Sequence, residues 1–262
     1  MNRTKQNFSV NHNKMLSEML TKEGNVSEAF RAFHNYSIRN QFLACYQMKM
    51  RNMDIQPINS FTGWNKLNRH VNKGEKAIYL WQPFTINTKA VDEKTGEVVE
   101  DKKVVFKFKP SWFALQQTSG ADLKSVEDAV LGDFNFDNVY KTFKIKIINF
   151  EHINGNVQGF ARTGEKELAI NPLAEDLEMT ILHEVAHIVL DHSNVDFGKE
   201  IKELEAEAVA YIVGSIAGVD KKQLERGRGY IQSWFKANEI PEKNSTRIMS
   251  AANKIIKAGL GK

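Results

Sequence analysis

Residues 181–192 read ILHEVAHIVLDH, and three of the protein's seven histidines fall inside them. On a helix, His183 and His187 stand at i and i+4, one above the other on one face, so both imidazoles can turn toward a single point. That spacing suits a tetrahedral Zn2+ ion about 2.0–2.1 Å from each nitrogen. Glu184 follows the first histidine and cannot join the same ligand set. It can instead reach a water polarised by the metal and act as general base. Leu182, Val185, Ala186, Val189 and Leu190 make the rest of the segment apolar. A carboxylate in such a wall costs on the order of several kcal/mol unless it is compensated, and a neighbouring divalent cation compensates it.

Two histidines alone hold zinc poorly, so a third protein ligand is expected downstream. The segment KEIKELEAEAVAYIV supplies Glu203 and Glu207 at i and i+4, with Ala206 and Ala210 small enough for a neighbouring helix to approach. Glu203 is the expected third ligand, and Glu207 the expected partner that orients a ligand histidine. Glu205 is the rival ligand, because spacing alone leaves the helix rotation open, and Glu200 offers a further carboxylate one turn earlier. His192 either supports the ligands or serves as a cation at the helix C-terminus. The bland alternative is a satisfied pair of core histidines, since an HExxH string by itself is only suggestive.

These residues need a helix from Asp176 to about His192, an acidic helix after it, and a strand beside both. NVQGFARTGEKELAINP reads as a hairpin around Arg162–Lys166, with 167–171 as its returning strand and Pro172 closing it. In a peptide-cleaving site an extended substrate pairs with a sheet edge, and this hairpin is placed to supply one. Earlier in the chain, NKMLSEMLTKEG and VSEAFRAFHNYSIRNQFLACYQMKM carry apolar residues at helical spacing. FTGWNKLNRHVNKG reads as a helix capped by Thr62 and stopped by Gly74, with Trp64, Leu67 and Val71 on one face. AIYLWQPFTI and VVFKFKPSWFAL alternate as the two strands of a hairpin with one wet face, turning at Lys94-Thr95-Gly96.

A chain of 262 residues holds one large or two modest domains, and 42 % apolar with 26 % charged residues is ordinary globular composition. No apolar run approaches the roughly 18–20 residues of a membrane span, and the polar N-terminus shows no secretory signal. The single cysteine, Cys45, excludes an internal disulfide and a multi-cysteine zinc cage. A soluble cytoplasmic protein is expected. Charge is uneven: residues 1–110 carry 18 Lys and Arg against 10 Asp and Glu, residues 111–219 carry 8 against 18, and residues 220–262 carry 10 against 4. A basic first section with interleaved aromatics suits backbone neutralisation and base stacking on single-stranded DNA. Arg39, Lys66, Arg69, Lys73 and Lys76 are the expected phosphate contacts. Trp64 is read both as a stacking residue and as a core residue.

HEVAHIVLDH followed by ELEAEAVA resembles the ImmA/IrrE-type zinc metallopeptidase domain, with its HExxHxxLxH and ExEAxxFA patterns in a gluzincin arrangement; Val209 stands where that family often has Phe. NYSIRNQFLACYQ and FTGWNKLNRHVNKGEKAIYLWQPF resemble the N-terminal single-stranded-DNA-binding domain of ArdC-type antirestriction proteins, whose pattern is TxxxWxxLGRxVxKGEKxIxIxxP. Asn68 stands where Gly is usual there. The two resemblances cover roughly 10–110 and 145–217, and ArdC-type proteins also pair such a domain with a metallopeptidase-like one. They imply a mobile-element protein that coats incoming single-stranded DNA and protects it from restriction. The expected fold is therefore α+β in two domains: a helix-plus-hairpin DNA-binding domain over 1–118, an acidic linker over 119–140, and a gluzincin-like zinc metallopeptidase domain over 141–262. Three functions stay open: a peptidase acting on a protein near single-stranded DNA, a DNA-protecting protein with a structural or vestigial zinc site, and a regulatory repressor-cleaving peptidase.

Overall fold

In a helix that is apolar on every side, each face must be covered by another element. Over its second half, 208–217, helix α7 (Lys199–Ala217) is such a helix, and Leu204, Ala208, Ile212 and Val213 along it are fully buried. The computed structural model, which describes residues 10–91, 98–123, 133–151 and 157–262, surrounds it with α6 (Leu177–Val189), α8 (Lys221–Ala237), α9 (Glu242–Gly259) and α2 (Asn25–Phe33). Helix α1 (His12–Thr21) packs on α8 and α9, and α5 (Phe136–Phe143) packs on α9. Small residues let α7 approach its neighbours closely. A Cβ on Gly214 would lie 2.9 Å from Met179 Sδ and 3.1 Å from Leu224 Cδ2.

A three-stranded sheet lies beside α6. Its order is β6 (Lys146–Ile147), β8 (Glu167–Ile170), β7 (Gly159–Arg162), with β6 parallel and β7 antiparallel to β8. The hairpin read from the sequence is present, and β7 is an edge strand next to α6.

The chain divides into two compact units, Met1–Phe42 with Asp128–Lys262, and Leu43–Glu127. This cut differs from the contiguous division at 1–118, 119–140 and 141–262. The first 42 residues join the carboxy-terminal unit because α1 and α2 bury their apolar faces against α7, α8 and α9. Within 119–140, Ser119 and Gly120 belong to a strand and residues from Phe136 onward to α5, while 124–132 lie outside the described residues.

In the Leu43–Glu127 unit, β3 (Ile78–Val91) and β4 (Val98–Ala114) form an antiparallel ribbon, and β1 (Ile58–Ser60) pairs with the base of β4. The turn expected at Lys94-Thr95-Gly96 lies outside the described residues. Buried Gln47 clamps the start of β3: its Nε2 donates to Tyr79 O (2.8 Å) and its Oε1 accepts from Tyr79 N–H (2.9 Å). Helix α4 (Phe61–Lys66) is capped by Ser60, whose Oγ accepts from Gly63 N–H at 3.0 Å, rather than by Thr62. It also stops about two turns short of the expected helix. Asn68 adopts φ 55° and redirects the chain into β2 (Arg69–Val71), which pairs with β5 (Thr118–Gly120). Asparagine is one of the few L-residues that tolerate this left-handed conformation, so the turn forms without a glycine at 68. Gly120 is required opposite it: its φ is 138°, and a Cβ there would lie 2.3 Å from Asn68 O. The molecule is thus a mixed α+β protein, and no described helix is long and apolar enough to cross a membrane.

Three substitutions test the Asn68–Gly120 turn. Gly120→Ala should lower unfolding free energy by about 1–3 kcal/mol, because it meets backbone rather than a movable side chain. Asn68→Gly should stay within about 0.5 kcal/mol of the parent, and Asn68→Val should fall with Gly120→Ala in a denaturant titration.

Candidate metal centre

The α6 helix presents His183 and His187 one turn apart, and α7 presents Glu203 and Glu207 one turn apart across the helix pair. Their side chains meet at one point. His183 Nε2 lies 3.1 Å from His187 Nε2 and 3.3 Å from Glu203 Oε2, and His187 Nε2 lies 3.7 Å from the same oxygen. Tetrahedral ligand atoms at zinc bond lengths stand about 3.3–3.4 Å apart. Among the described residues, these three are the group whose donor atoms converge closely enough to hold a metal ion.

Hydrogen bonds behind the rings fix which nitrogen faces that point. His183 Nδ1 lies 3.0 Å from Glu207 Oε2, and an ionised carboxylate only accepts, so Nδ1 carries the proton and Nε2 turns its lone pair inward. His192 Nε2 lies 2.9 Å from Glu205 Oε2 and donates to it for the same reason. That leaves His192 Nδ1 as the acceptor for His187 Nδ1–H, 2.7 Å away, so His187 Nε2 also turns its lone pair inward. Asp191 makes this contact possible. Its φ of 54° ends α6 sharply and folds His192 back beneath His187. Two lone pairs and a carboxylate oxygen therefore crowd one spot in an apolar setting. A cation between the members of this set, whether a proton or a metal ion, would relieve their repulsion.

The titration directions report the same demand. Burial works against charge on His183, yet hydrogen bonds to Glu203 and Glu207 and the nearby Glu184 lift its pKa to about 10. Hydrogen bonds from His183 and His187 hold the Glu203 carboxyl far below its usual range, against the effect of burial. A proton on His183 Nε2 and a metal ion at that nitrogen are alternative ways of supplying the missing positive charge.

Glu184 lines a cleft of about 500 Å³ with His183, Glu207, Met179, Thr180, Arg226 and Tyr230. Burial pushes its carboxyl up; His183, His187 and a hydrogen bond from the Ala161 backbone on β7 pull the other way. The structure thus gathers His183, Glu184, His187, Glu203, Glu207 and His192 at one place.

Glu205 points to the opposite side of α7, because two residues of helix turn the chain through about 200°. It is fully buried, and there it accepts from His192, from Asn244 Nδ2 (2.9 Å) and from Arg247 Nε (3.0 Å). Burial would raise its pKa, but these donors hold it below the ordinary value. Arg247 also donates to Leu190 O at 2.6 Å, tying α9 to the end of α6. Neither Asn244 nor Arg247 was a candidate from the sequence, where nothing links them to a motif some 60 residues upstream. On α8, a Cβ at Gly227 would lie 2.4 Å from Glu207 Oε1.

The expected DNA contacts divide into two groups. Lys66, Lys73 and Lys76 are exposed. Trp64 is 1 % exposed and its Nε1 donates to Phe113 O at 2.8 Å, so the ring is core and offers no face to a base. The Arg69 guanidinium donates to Thr118 Oγ1 (2.8 Å), Thr118 O (2.9 Å) and Ala121 O, joining β2 to β5. Arg39 is half-buried, with Nη2 3.3 Å from His12 Nε2. The Trp64 and Arg69 side chains are thus engaged by the fold through hydrogen bonds to backbone and to Thr118, which leaves the exposed Lys66, Lys73 and Lys76 the more accessible of the expected contacts.

Residues 15–112 match the family model described as the N-terminal domain of anti-restriction factor ArdC. The chain is also similar to known proteins along most of its length. An uncharacterized Bacillus anthracis protein, pXO2-81, is 25 % identical over 83 % of this chain and 44 % of its own length, so the chain spans less than half of that curated relative. The Mn(II)-bound crystal structure of antirestriction ArdC protein from the R388 plasmid matches with a TM-score of 0.52 at 16 % identity, covering 96 % of both chains. The metal-free structure of the same protein gives 0.48 at 18 % identity, also over 96 % of both. The likeness to the Mn(II)-bound structure establishes a shared fold.

Two variants probe how the ligands are held. Gly227→Ala should displace Glu207 from His183 and weaken metal affinity about 10- to 100-fold, read by chelator competition, with little change in the circular dichroism spectrum. Glu205→Ala should lower stability by about 2–3 kcal/mol, because Arg247 and Asn244 lose a buried acceptor; an unchanged denaturation midpoint would contradict the network.

Proposed function

We propose that the protein binds single-stranded DNA through its amino-terminal region, 1–118, and hydrolyses a peptide bond at a zinc centre ligated by His183, His187 and Glu203. The observation that carries the catalytic half is the convergence of three acceptor atoms beside a half-buried Glu184, at the edge of a sheet. A His2Glu set with an open position is a donor arrangement of catalytic zinc. Imidazole and carboxylate also accept Mn(II), the ion named for the R388 ArdC structure. The DNA-binding half is supported by the match of residues 15–112 to the ArdC N-terminal domain. It is supported equally by the excess of basic residues over 1–110. An antirestriction role follows from that match, with a protein near the bound DNA as substrate.

A divalent cation in this site supplies Lewis-acid polarisation of a carbonyl and acidifies a water molecule. The chain's own groups do the rest. Glu184, desolvated but held by the Ala161 backbone, takes the proton from the attacking water and returns it to the departing amine. Glu207 and the His192–Glu205 pair keep both imidazole rings in register through their Nδ1 atoms. An extended peptide adding along the outer edge of β7, an edge strand among the described residues, would bring its carbonyl to the cleft beside Glu184.

Protein purified without added metal should contain about one zinc per chain, and His183→Ala should contain none. Glu184→Gln should keep metal and single-stranded-DNA affinity while cleavage stops. Proteomics of cells expressing the parent or Glu184→Gln during DNA entry should reveal a protein lost only with the parent. If antirestriction persists unchanged in Glu184→Gln, occupancy of the DNA is the function and the peptidase reading falls.

A further inference from the structure

The burial of the Trp64 ring leaves the question of where a nucleic-acid strand would stack. In the Leu43–Glu127 unit the β3–β4 ribbon runs well beyond β1, which pairs only with Trp112–Ala114. Cross-strand register places Trp81 opposite Phe108, Pro83 opposite Phe106 and Thr85 opposite Val104. Side chains alternate along a strand, so these six share one face. Phe108 sits between Tyr79 and Trp81, with ring centroids 5.3 and 5.4 Å away. Those three rings cover one another in part. Phe106, by contrast, is 62 % exposed and Val104 is 56 % exposed.

An exposed phenylalanine on a projecting ribbon costs solubility and invites association, so its surroundings matter. Residues 81–87 and 102–109 contain four lysines, Lys102, Lys103, Lys107 and Lys109, and no carboxylate. Lys107 and Lys109 place their Nζ atoms 5.4 and 4.1 Å from the Phe84 ring on the opposite face. A ribbon two strands wide, with strands about 4.8 Å apart, lets long lysine stems reach around either edge. Aromatic platforms with lysines along the ribbon's edges, Glu100 and Asp101 standing beyond them toward its far end, complement a polyanion with accessible bases. They do not complement a second copy of the same lysine-rich ribbon, which would repel it.

We infer that the Phe106 face of this ribbon is a binding site for single-stranded nucleic acid, with bases stacked on Phe106 and the Trp81–Phe108 wall and phosphates neutralised by the flanking lysines. The inference rests on the single-stranded-DNA reading above and places it on residues that reading did not name. A duplex keeps its base faces covered and so gains only the charge.

The test measures binding of a labelled oligothymidylate to the full chain across a salt series. Phe106→Ala should lose about 10- to 100-fold in affinity with an unchanged salt slope, and Phe106→Trp should restore it. Lys103→Ala/Lys107→Ala should flatten the slope by about 0.7 for each lysine in contact. The thermal midpoint should hold in all three, since the replaced side chains are exposed. Affinity of Phe106→Ala within twofold of the parent overturns the ribbon site. So does loss confined to a Lys66→Ala/Lys73→Ala control, though this leaves the single-stranded-DNA reading standing. Absence of any binding by the parent removes both. Ribbon-dependent self-association without DNA binding also overturns the inference in favour of a second copy.

Discussion

Crowding of acceptors at one corner of the α6–α7 helix pair governs the carboxy-terminal unit. Two ring nitrogens and a carboxylate oxygen lie within 3.1–3.7 Å of one another on partly buried side chains, and a proton or a metal ion between them would relieve that crowding. Every nearby polar group is arranged to keep them there. Glu203 and Glu207 face α6 because four residues bring a helix almost full circle, and Glu205 is driven to the far side by the half-turn between them. That far side is the buried core, so Glu205 recruits His192, Asn244 and Arg247. The carboxylate that cannot reach the ligand site thus fixes, through His192, the ring of His187. One helix with three glutamates at alternate positions builds both the site and its support.

The Leu43–Glu127 unit follows a different economy. Its most conspicuous aromatic and arginine residues, Trp64 and Arg69, are absorbed by a small fold in which two short strands and a six-residue helix need anchoring. Trp64 fills the space beside β1 and β4, and Arg69 ties β2 to β5. What remains available to a partner is the ribbon, where alternation sends Phe106 to one face and Lys107 to the other. The ribbon can present both because nothing but its own second strand pairs with it along most of its length.

Periodicity made the candidate metal centre legible in the sequence. The i, i+4 histidines, the apolar residues between them and the i, i+4 glutamates downstream each reflect a local helical rule that tertiary packing did not need to override. The β7–β8 and β3–β4 hairpins were legible for the same reason, through alternation. The helix expected over Thr62–Lys73 was not, because Trp64, Leu67 and Val71 match helical spacing while Asn68 takes a left-handed turn that spacing does not register. Leu67 consequently lies on the surface, 44 % exposed. The unit boundary was equally hidden: α1 and α2 are ordinary amphipathic helices, and nothing in them names the distant α7–α9 surface they cover.

Residue order alone determined that His183 and His187 share a helix face, that Glu184 stands beside them, and that an acidic helix follows at the right distance. Only tertiary structure chose Glu203 over Glu205 for the inward position, brought Asn244 and Arg247 beneath His192, and turned Trp64 and Arg69 from candidate contacts into framework. The reason is one of range. Helical and strand periodicities are written within a few residues. The rotation of one helix against another, and the partner each buried polar group finds, depend on surfaces that meet only after the chain has folded.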